Sequence, residues 1–365
     1  MKIAVCGISP KSFHYRTYVN FLASQGHDVT VITNADEIDA PVRVINFARP
    51  TRLSRLVPPH MGWVVRAWRL WRCLHGHGFD VVNIQQMSPD GVIAALLWGG
   101  PLVPTFWGSD ILRLSERPWW LRRLMRRAVR RATLLHATSK VIADRLQDMG
   151  ADPTRIAAFN YGVDLQVFRL RDAEPEPGSI LFTRRLWPLY RPAAIVRAMP
   201  ALIAREPRAK LTLAGAGHPE DLEMLTALVA ELGLTDRVEF PGYLAKAEVA
   251  RRLACAELWV SIPTSDSLAI SLQEAMACGA FPVVADLPSM REVLEEPFAV
   301  SVTDVGPEPL ADALSRALQL SRTGAHVPAN RATVERFGDR RHNLRRFERI
   351  LIAAASSGAG GGSSS

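Results

Sequence analysis

The chain predicts an α/β fold made of two doubly wound halves, each a parallel sheet with helices on both faces. Three observations carry this expectation. Short apolar, β-branched runs alternate with helix-length segments along nearly the whole chain, as βα units of a parallel sheet do. The alternation is interrupted once, at 169–179, by a charged stretch rich in proline and glycine that reads as a linker, and then restarts. A chain of 365 residues also exceeds one small core and suits two domains of ordinary size, here 1–168 and 180–335.

The elements follow in order. Residues 2–8 are an apolar run and read as a strand. A helix over 15–25 is closed by Gly26, and 27–33 alternates as the next strand. Residues 42–47 and 81–84 are short strands separated by a Trp/Arg-rich segment at 61–75. Residues 101–106 form another strand, ending in Trp107-Gly108-Ser109-Asp110. A long helix spans 118–132, 134–137 is a strand, and 139–149 is a helix stopped by Gly150. Beyond the linker, strands at 180–183, 210–214, 238–240, 258–262 and 281–285 alternate with helices at 192–205, 219–232, 246–254, 269–278 and 310–320. A final basic helix covers 331–354. The run 356–365, mostly serine and glycine, reads as a flexible tail outside the fold.

Composition narrows the function classes. Hydrophobic residues at 48% and charged residues at 22% describe a soluble globular protein. The opening apolar run is too short for a signal peptide, and no run approaches the ~18 apolar residues of a spanning helix. Cys6, Cys73, Cys255 and Cys278 are scattered without a CxxC pair, which favours reduced thiols in the cytosol over disulfides or a zinc site. No GxGxxG follows the first strand, which weighs against a nicotinamide or flavin enzyme. The net charge of +8 is uneven: residues 1–170 carry 22 Lys/Arg against 12 Asp/Glu, and residues 171–365 carry 22 against 24. The excess in the first half points to an anionic partner there.

One segment concentrates site chemistry. Residues 265–279 follow an apolar strand, open a helix and end at Gly279, with Asp266 and Glu274 eight residues apart. Free N–H groups at a helix start form a phosphate site, and a carboxylate in the first turns can hold a sugar diol. With its Ala-Met-Ala-Cys-Gly continuation, this segment resembles the E-x7-E signature of the retaining family 4 glycosyltransferases. Further pieces agree in order and spacing. Gly26-His27-Asp28-Val29 resembles the family's "GHEV", Asn160-Tyr161-Gly162-Val163-Asp164 with Phe168 its "NGVD…F", and Arg185-Leu186 its "GRL". Ala214-Gly215-Ala216-Gly217 resembles its "GxG", and Phe240-Pro241-Gly242-Tyr243-Leu244 its "F-x-G-x-V".

The resemblance implies the GT-B fold: two Rossmann-like domains facing a cleft, with a C-terminal helix at 336–355 crossing back to the first. It implies a nucleotide-diphosphate sugar in the second domain and an acceptor in the first. Glu274 matches the acid that binds ribose. Asp266 stands where the family usually has a glutamate contacting the donor sugar, and its side chain is shorter. Arg185 matches the family arginine on the diphosphate. Five residues on, the family commonly has a lysine, and here Tyr190 stands instead, so Arg184 or Arg191 would supply the charge. The amides of Ala269, Ile270 and Ser271 would also meet the diphosphate. Gly215 and Gly217 would let the nucleotide approach the backbone, with Tyr243 and Leu244 by the base. On the acceptor side, Trp107 replaces a family histidine, Asp110 is a polar candidate, and His14 would line the acceptor pocket. No DxD or His/carboxylate cluster calls for a metal, and no cofactor is expected.

The segment 119–131 is unusual in another way. Arg122, Arg123, Arg126, Arg127, Arg130 and Arg131 share one helical face with no acid between them, so like charges repel at i, i+4. A Trp-anchored basic helix suits an anionic membrane surface. Trp63, Arg66, Trp68, Arg69, Trp71 and Arg72 would extend the patch. Nucleic acid is also anionic, but no nucleic-acid motif accompanies the charge.

Together these features predict a metal-independent, retaining glycosyltransferase. It would act on a lipid-linked or membrane-adjacent glycan, in the cytoplasm or on the inner face of the membrane. Two alternatives stay open: a non-catalytic GT-B nucleotide-binding scaffold, and another GT-B enzyme such as a sugar-nucleotide epimerase or a phosphorylase. A phosphorylase would need a lysine for pyridoxal phosphate, and the second half has only Lys210 and Lys246, neither well placed.

Overall fold

The computed structural model describes residues 1–7, 13–34, 42–48, 62–172 and 174–359. The chain divides into two compact units, Met1–Tyr161 with His342–Ser365, and Gly162–Arg341.

In the first unit, seven parallel strands lie in the order β3-β2-β1-β4-β5-β6-β7: β1 (Lys2–Cys6), β2 (Asp28–Thr33), β3 (Arg43–Asn46), β4 (Val81–Gln85), β5 (Leu102–Phe106), β6 (Leu135–Ala137) and β7 (Ile156–Ala158). β4 and β5 are buried at every residue, as strands covered on both faces must be. The helices are α1 (Phe13–Ser24), α2 (Gly62–His75), α3 (Pro89–Leu97), α4 (Trp119–Arg131) and α5 (Lys140–Asp148). The Ser88 hydroxyl accepts from the Gly91 amide at 3.2 Å and caps α3, and Ser139 caps α5 through Ile142 at 3.3 Å. α3 packs between α2 and α4.

The second unit repeats the plan with the order β10-β9-β8-β11-β12-β13. Its strands are β8 (Glu176–Phe182), β9 (Lys210–Ala214), β10 (Val238–Gly242), β11 (Ala256–Ser261), β12 (Phe281–Ala285) and β13 (Val300–Val302). Its helices are α6 (Pro192–Arg205), α7 (Pro219–Glu231), α8 (Lys246–Cys255), α9 (Ile270–Cys278), α10 (Pro288–Arg291), α11 (Pro307–Ser321) and α12 (His326–Phe337). Phe182 and Phe281 are fully buried, each contributing roughly 1.5–3 kcal/mol. Trp259 is buried as well and donates its indole N–H to the Thr183 hydroxyl at 2.8 Å.

Three expectations need correction. The first strand of the second unit begins at Glu176, inside the expected linker, because a buried carboxylate organises that stretch. Glu257 accepts the Gly178 amide at 2.6 Å, and Ser179 donates to the Cys255 carbonyl at 3.2 Å. The expected final helix is two helices, α12 and α13 (Arg340–Ala359), broken at Gly338. A Cβ at Gly338 would lie 2.3 Å from Gln273 Oε1, so any larger residue here requires the Gln273 side chain to move. There the Gly338 carbonyl accepts the Val163 amide at 2.6 Å, and Arg340 donates to the Val163 carbonyl at 3.1 Å. Third, α13 continues to Ala359, into the expected tail, while 360–365 lie outside the described residues.

From His342 onward α13 belongs to the first unit. Phe347 lies 4.3 Å from Tyr18 and 5.1 Å from His136 between ring centroids, and Glu348 meets His27 Nε2 at 2.8 Å.

Candidate functional site

In the second unit the strand order reverses between β8 and β11, and ligands in such sheets bind beyond the strand ends at this switch point. The loop after β8 carries Arg184 and Arg185, and the loop after β11 carries Asp266 and leads into α9. A buried network ties the two loops. Arg184 donates to Asp266 Oδ2 at 2.6 Å and to the Ser271 hydroxyl at 2.9 Å, and its guanidinium lies 4.4 Å from the centre of the Tyr190 ring. Both side chains of the ion pair are nearly buried, at 12% and 15% exposure. Burial works against the Arg184 charge, but Asp266 and Tyr190 outweigh it and hold the guanidinium above its usual range. Asp266 is thus fixed by an arginine and Arg184 is spent on it. Tyr190, expected on the diphosphate, backs Arg184.

Arg185 is exposed and lies 4.4 Å over the Trp187 ring, with no carboxylate paired to it among the described residues. Trp187 in turn stacks on His218 at 5.7 Å, joining this loop to the start of α7. The glycines of the 214–217 turn have a packing reason of their own. A Cβ at Gly215 would fall 2.0 Å from the Arg184 carbonyl, and one at Gly217 would fall 2.9 Å from Leu186 Cβ. They let the turn after β9 lie against the arginine loop.

α9 opens at Ile270 with Ala269 as its cap residue, so the amides of Ala269, Ile270 and Ser271 precede any helical partner. The helix ends at Gly279 with φ 88°, the left-handed position its sequence called for. Glu274 sits one turn in, its side chain 3% exposed, and Lys246 Nζ contacts its Oε1 at 2.5 Å. Sequence reasoning missed Lys246 as a partner of this site. Tyr243 is 79% exposed, while Leu244 turns inward against the core around α9.

The remaining candidates belong to the first unit. Asp110 is buried and takes amide hydrogen bonds from Met87 at 3.2 Å, Trp107 at 3.2 Å and Gly108 at 2.9 Å. Burial pushes its carboxyl up and these amides pull it back. Its oxygens hold the loops after β4 and β5 together, which is a structural employment. Trp107 is half-buried, 5.8 Å from Tyr18 and 6.0 Å from Tyr161 between ring centroids. His14 lies in the first turn of α1, not in a loop, and its side chain is outside the described residues.

On α4, Leu121, Met125, Ala128 and Val129 face the core. Arg123, Arg126 and Arg127 are exposed and Arg122 half-buried, and none has a carboxylate partner among the described residues. Trp119 and Trp120 are exposed at 69% and 49%, as are Trp68 and Trp71 on α2. Two arginines expected in the patch have other partners. Arg131 donates to the carbonyls of Leu96 and Trp98, and Arg66 pairs with Asp90. Among the described residues, no helix is long and apolar enough to cross a membrane, and no group of three or more His, Cys, Asp or Glu side chains is placed to hold a metal ion.

Two family models match consecutive stretches of the chain: Glycosyltransferase Family 4 over residues 12–167, and Glycosyl transferases group 1 over residues 169–333. Among curated relatives, a D-inositol 3-phosphate glycosyltransferase of Nocardioides sp. is 31% identical over 278 residues, covering 67% of this chain and 60% of that protein. The Frankia alni protein of the same name is 29% identical over 268 residues, 66% of each. The chain thus spans about 60–66% of the length of these two relatives. Among solved structures, Anabaena Alr3699/HepE in complex with UDP and glucose superposes with a TM-score of 0.76 at 18% identity, over 97% of this chain and 100% of that one. Sucrose-phosphate synthase from Thermosynechococcus elongatus gives 0.78 at 16% identity, over 98% and 100%. These likenesses carry the fold, two Rossmann-like units of the GT-B kind. With both family models matched in order and the strand-end residues in place, the chain belongs to the family 4 glycosyltransferases.

Proposed function

We propose that the chain is a retaining glycosyltransferase that takes a sugar from a nucleotide-diphosphate sugar and needs no metal. The observation that carries this reading is the pairing of Arg184 with Asp266 and Ser271 at the switch point, which fixes the arginine loop beside the start of α9. Arg185 and the amides of Ala269, Ile270 and Ser271 then meet the diphosphate, and Glu274 takes the ribose hydroxyls. As the glycosidic bond breaks, negative charge grows on the departing phosphate. Donors already in place stabilise it without reorganisation, usually the largest single contribution to catalysis. The departing phosphate takes the proton of the attacking acceptor hydroxyl on the same face. The relatives' names and the UDP held by the Anabaena neighbour support a nucleotide-sugar donor.

The acceptor in this reading is a lipid-linked or membrane-adjacent glycan, reached from the cytoplasmic face by peripheral association. Its support is the basic face of α4, on which Arg122, Arg123, Arg126 and Arg127 have no carboxylate partner among the described residues, with four exposed tryptophans on α2 and α4.

Thermal stabilisation by nucleoside diphosphates tests the donor site. UDP or GDP is expected to raise the melting temperature, and Glu274→Ala to weaken that binding about 10-fold or more, the scale of a lost hydrogen bond to a charged group. Binding that survives Glu274→Ala unchanged would remove Glu274 from the site. Turnover of a bound donor that stops on adding a chelator would remove metal independence. Binding without sugar release or transfer over a donor and acceptor panel would favour the scaffold.

A further inference from the structure

We infer that Lys246 is a positioning residue for the nucleotide: it holds the Glu274 carboxylate by one oxygen and turns the pair into a clamp for a ribose diol. The inference rests on the reading that Glu274 takes the ribose. Its geometry is independent of any ligand. Lys246 Nζ contacts Glu274 Oε1 at 2.5 Å, and no hydrogen bond reaches Oε2 among the described residues. The two partners differ sharply in exposure: Glu274 is 3% exposed and Lys246 is 39%. A solvent-exposed pair would contribute little, whereas a carboxylate this deep is costly without a counter-charge. The lysine is therefore the accessible partner and the carboxylate it fixes is the buried one.

The position of Lys246 on its own helix argues the same way. It is the first residue of α8, where the helix dipole disfavours a cation. Ala245 provides no side-chain cap there. A lysine placed against the local field needs a reason, and Glu274 from the neighbouring α9 supplies it. The Phe168 ring, 5.5 Å from Nζ and itself buried, fixes the lysine on another side. Lys246 and Lys210 are the only lysines of this unit, and Lys210 begins β9 at the opposite end of the sheet. With one carboxylate oxygen engaged, the other accepts from one ribose hydroxyl. The ammonium, with three donors, reaches the adjacent hydroxyl.

The test compares the nucleoside diphosphate that binds, UDP or GDP, with its 2′-deoxy and 3′-deoxy forms by calorimetry. The native chain is expected to prefer the ribonucleotide by about 10-fold, the size of one charge-assisted hydrogen bond. Lys246→Met is expected to shrink that preference to about 3-fold or less, and Lys246→Arg to restore most of it. The melting temperature of each variant reports folding separately. A Lys246→Met chain that melts lower yet keeps the full ribose preference overturns the inference and leaves the donor site standing. A native chain that binds no nucleoside diphosphate overturns both.

Discussion

Neighbouring residues of one type hold different employments here. Arg184 is committed to Asp266 and Ser271, whereas Arg185 stays exposed over Trp187. His136 is a sharper case. It is fully buried in β6, with Nε2 at 2.8 Å from the Phe159 carbonyl, and burial lowers its pKa from 6.5 to about 3 against that contact. The folded chain therefore binds this proton less readily than the unfolded chain. The stability tied to a neutral His136 is complete above pH 6.5 and is lost progressively between pH 6.5 and about 3. His136→Gln is expected to lower the melting temperature at pH 7.5 but flatten its fall between pH 6.5 and 4.5. Parallel pH profiles for the two chains would show that another group sets the slope. At this scale the sequence exposed local settings: the helix that carries Glu274 and the loop after a strand that carries Arg185 were legible. Lys246 was not, because its partner lies 28 positions away. A cation in the first turn of a helix was the signal that pointed to it.

Elements with strong periodicity were legible to within a few residues, and α4 shows why: its core stripe and arginine face are separated by the 3.6-residue period itself. Elements of three residues, such as β7 and β13, carry too little pattern to be seen. The capped α3, rich in small apolar residues, hid for a related reason: its mean character is uniformly apolar. Helix α3 matters for the membrane proposal, since it packs against both α2 and α4. His75 lies 4.9 Å from the exposed Trp71 and 5.4 Å from the buried Trp98 between ring centroids. Sedimentation with vesicles containing anionic lipid is expected to deplete the native chain. Neutralising Arg122, Arg123, Arg126 and Arg127 together is expected to release most of it, as is raising the salt concentration. Equal sedimentation of both chains would set the basic face aside as ordinary solvated surface.

For the molecule as a whole, two repeats of the same sheet plan could be read from alternation and the charged interruption. What could not be read was how the chain closes. The break at Gly338 closes against Gly162 and Val163, which are distant in sequence, and no local window contains them. Beyond that break, Phe347, Leu351 and Ala354 are buried in the first unit. A chain of residues 1–161 alone is accordingly expected to lack a cooperative melting transition, while adding a peptide of 340–359 in trans restores part of it. A sharp transition from 1–161 by itself would show that the last helix only decorates that unit.

The same closure imposes a timetable during synthesis. The second unit is continuous from Gly162 to Arg341 and has all its parts once that stretch has emerged. The first unit begins earlier yet waits for the last helix. At ~5–20 residues per second, its core stays incomplete for roughly 10–40 s after Tyr161 is made. Through that interval Tyr18 and His136 have no Phe347 to pack against, so of the two units the one begun first is completed second.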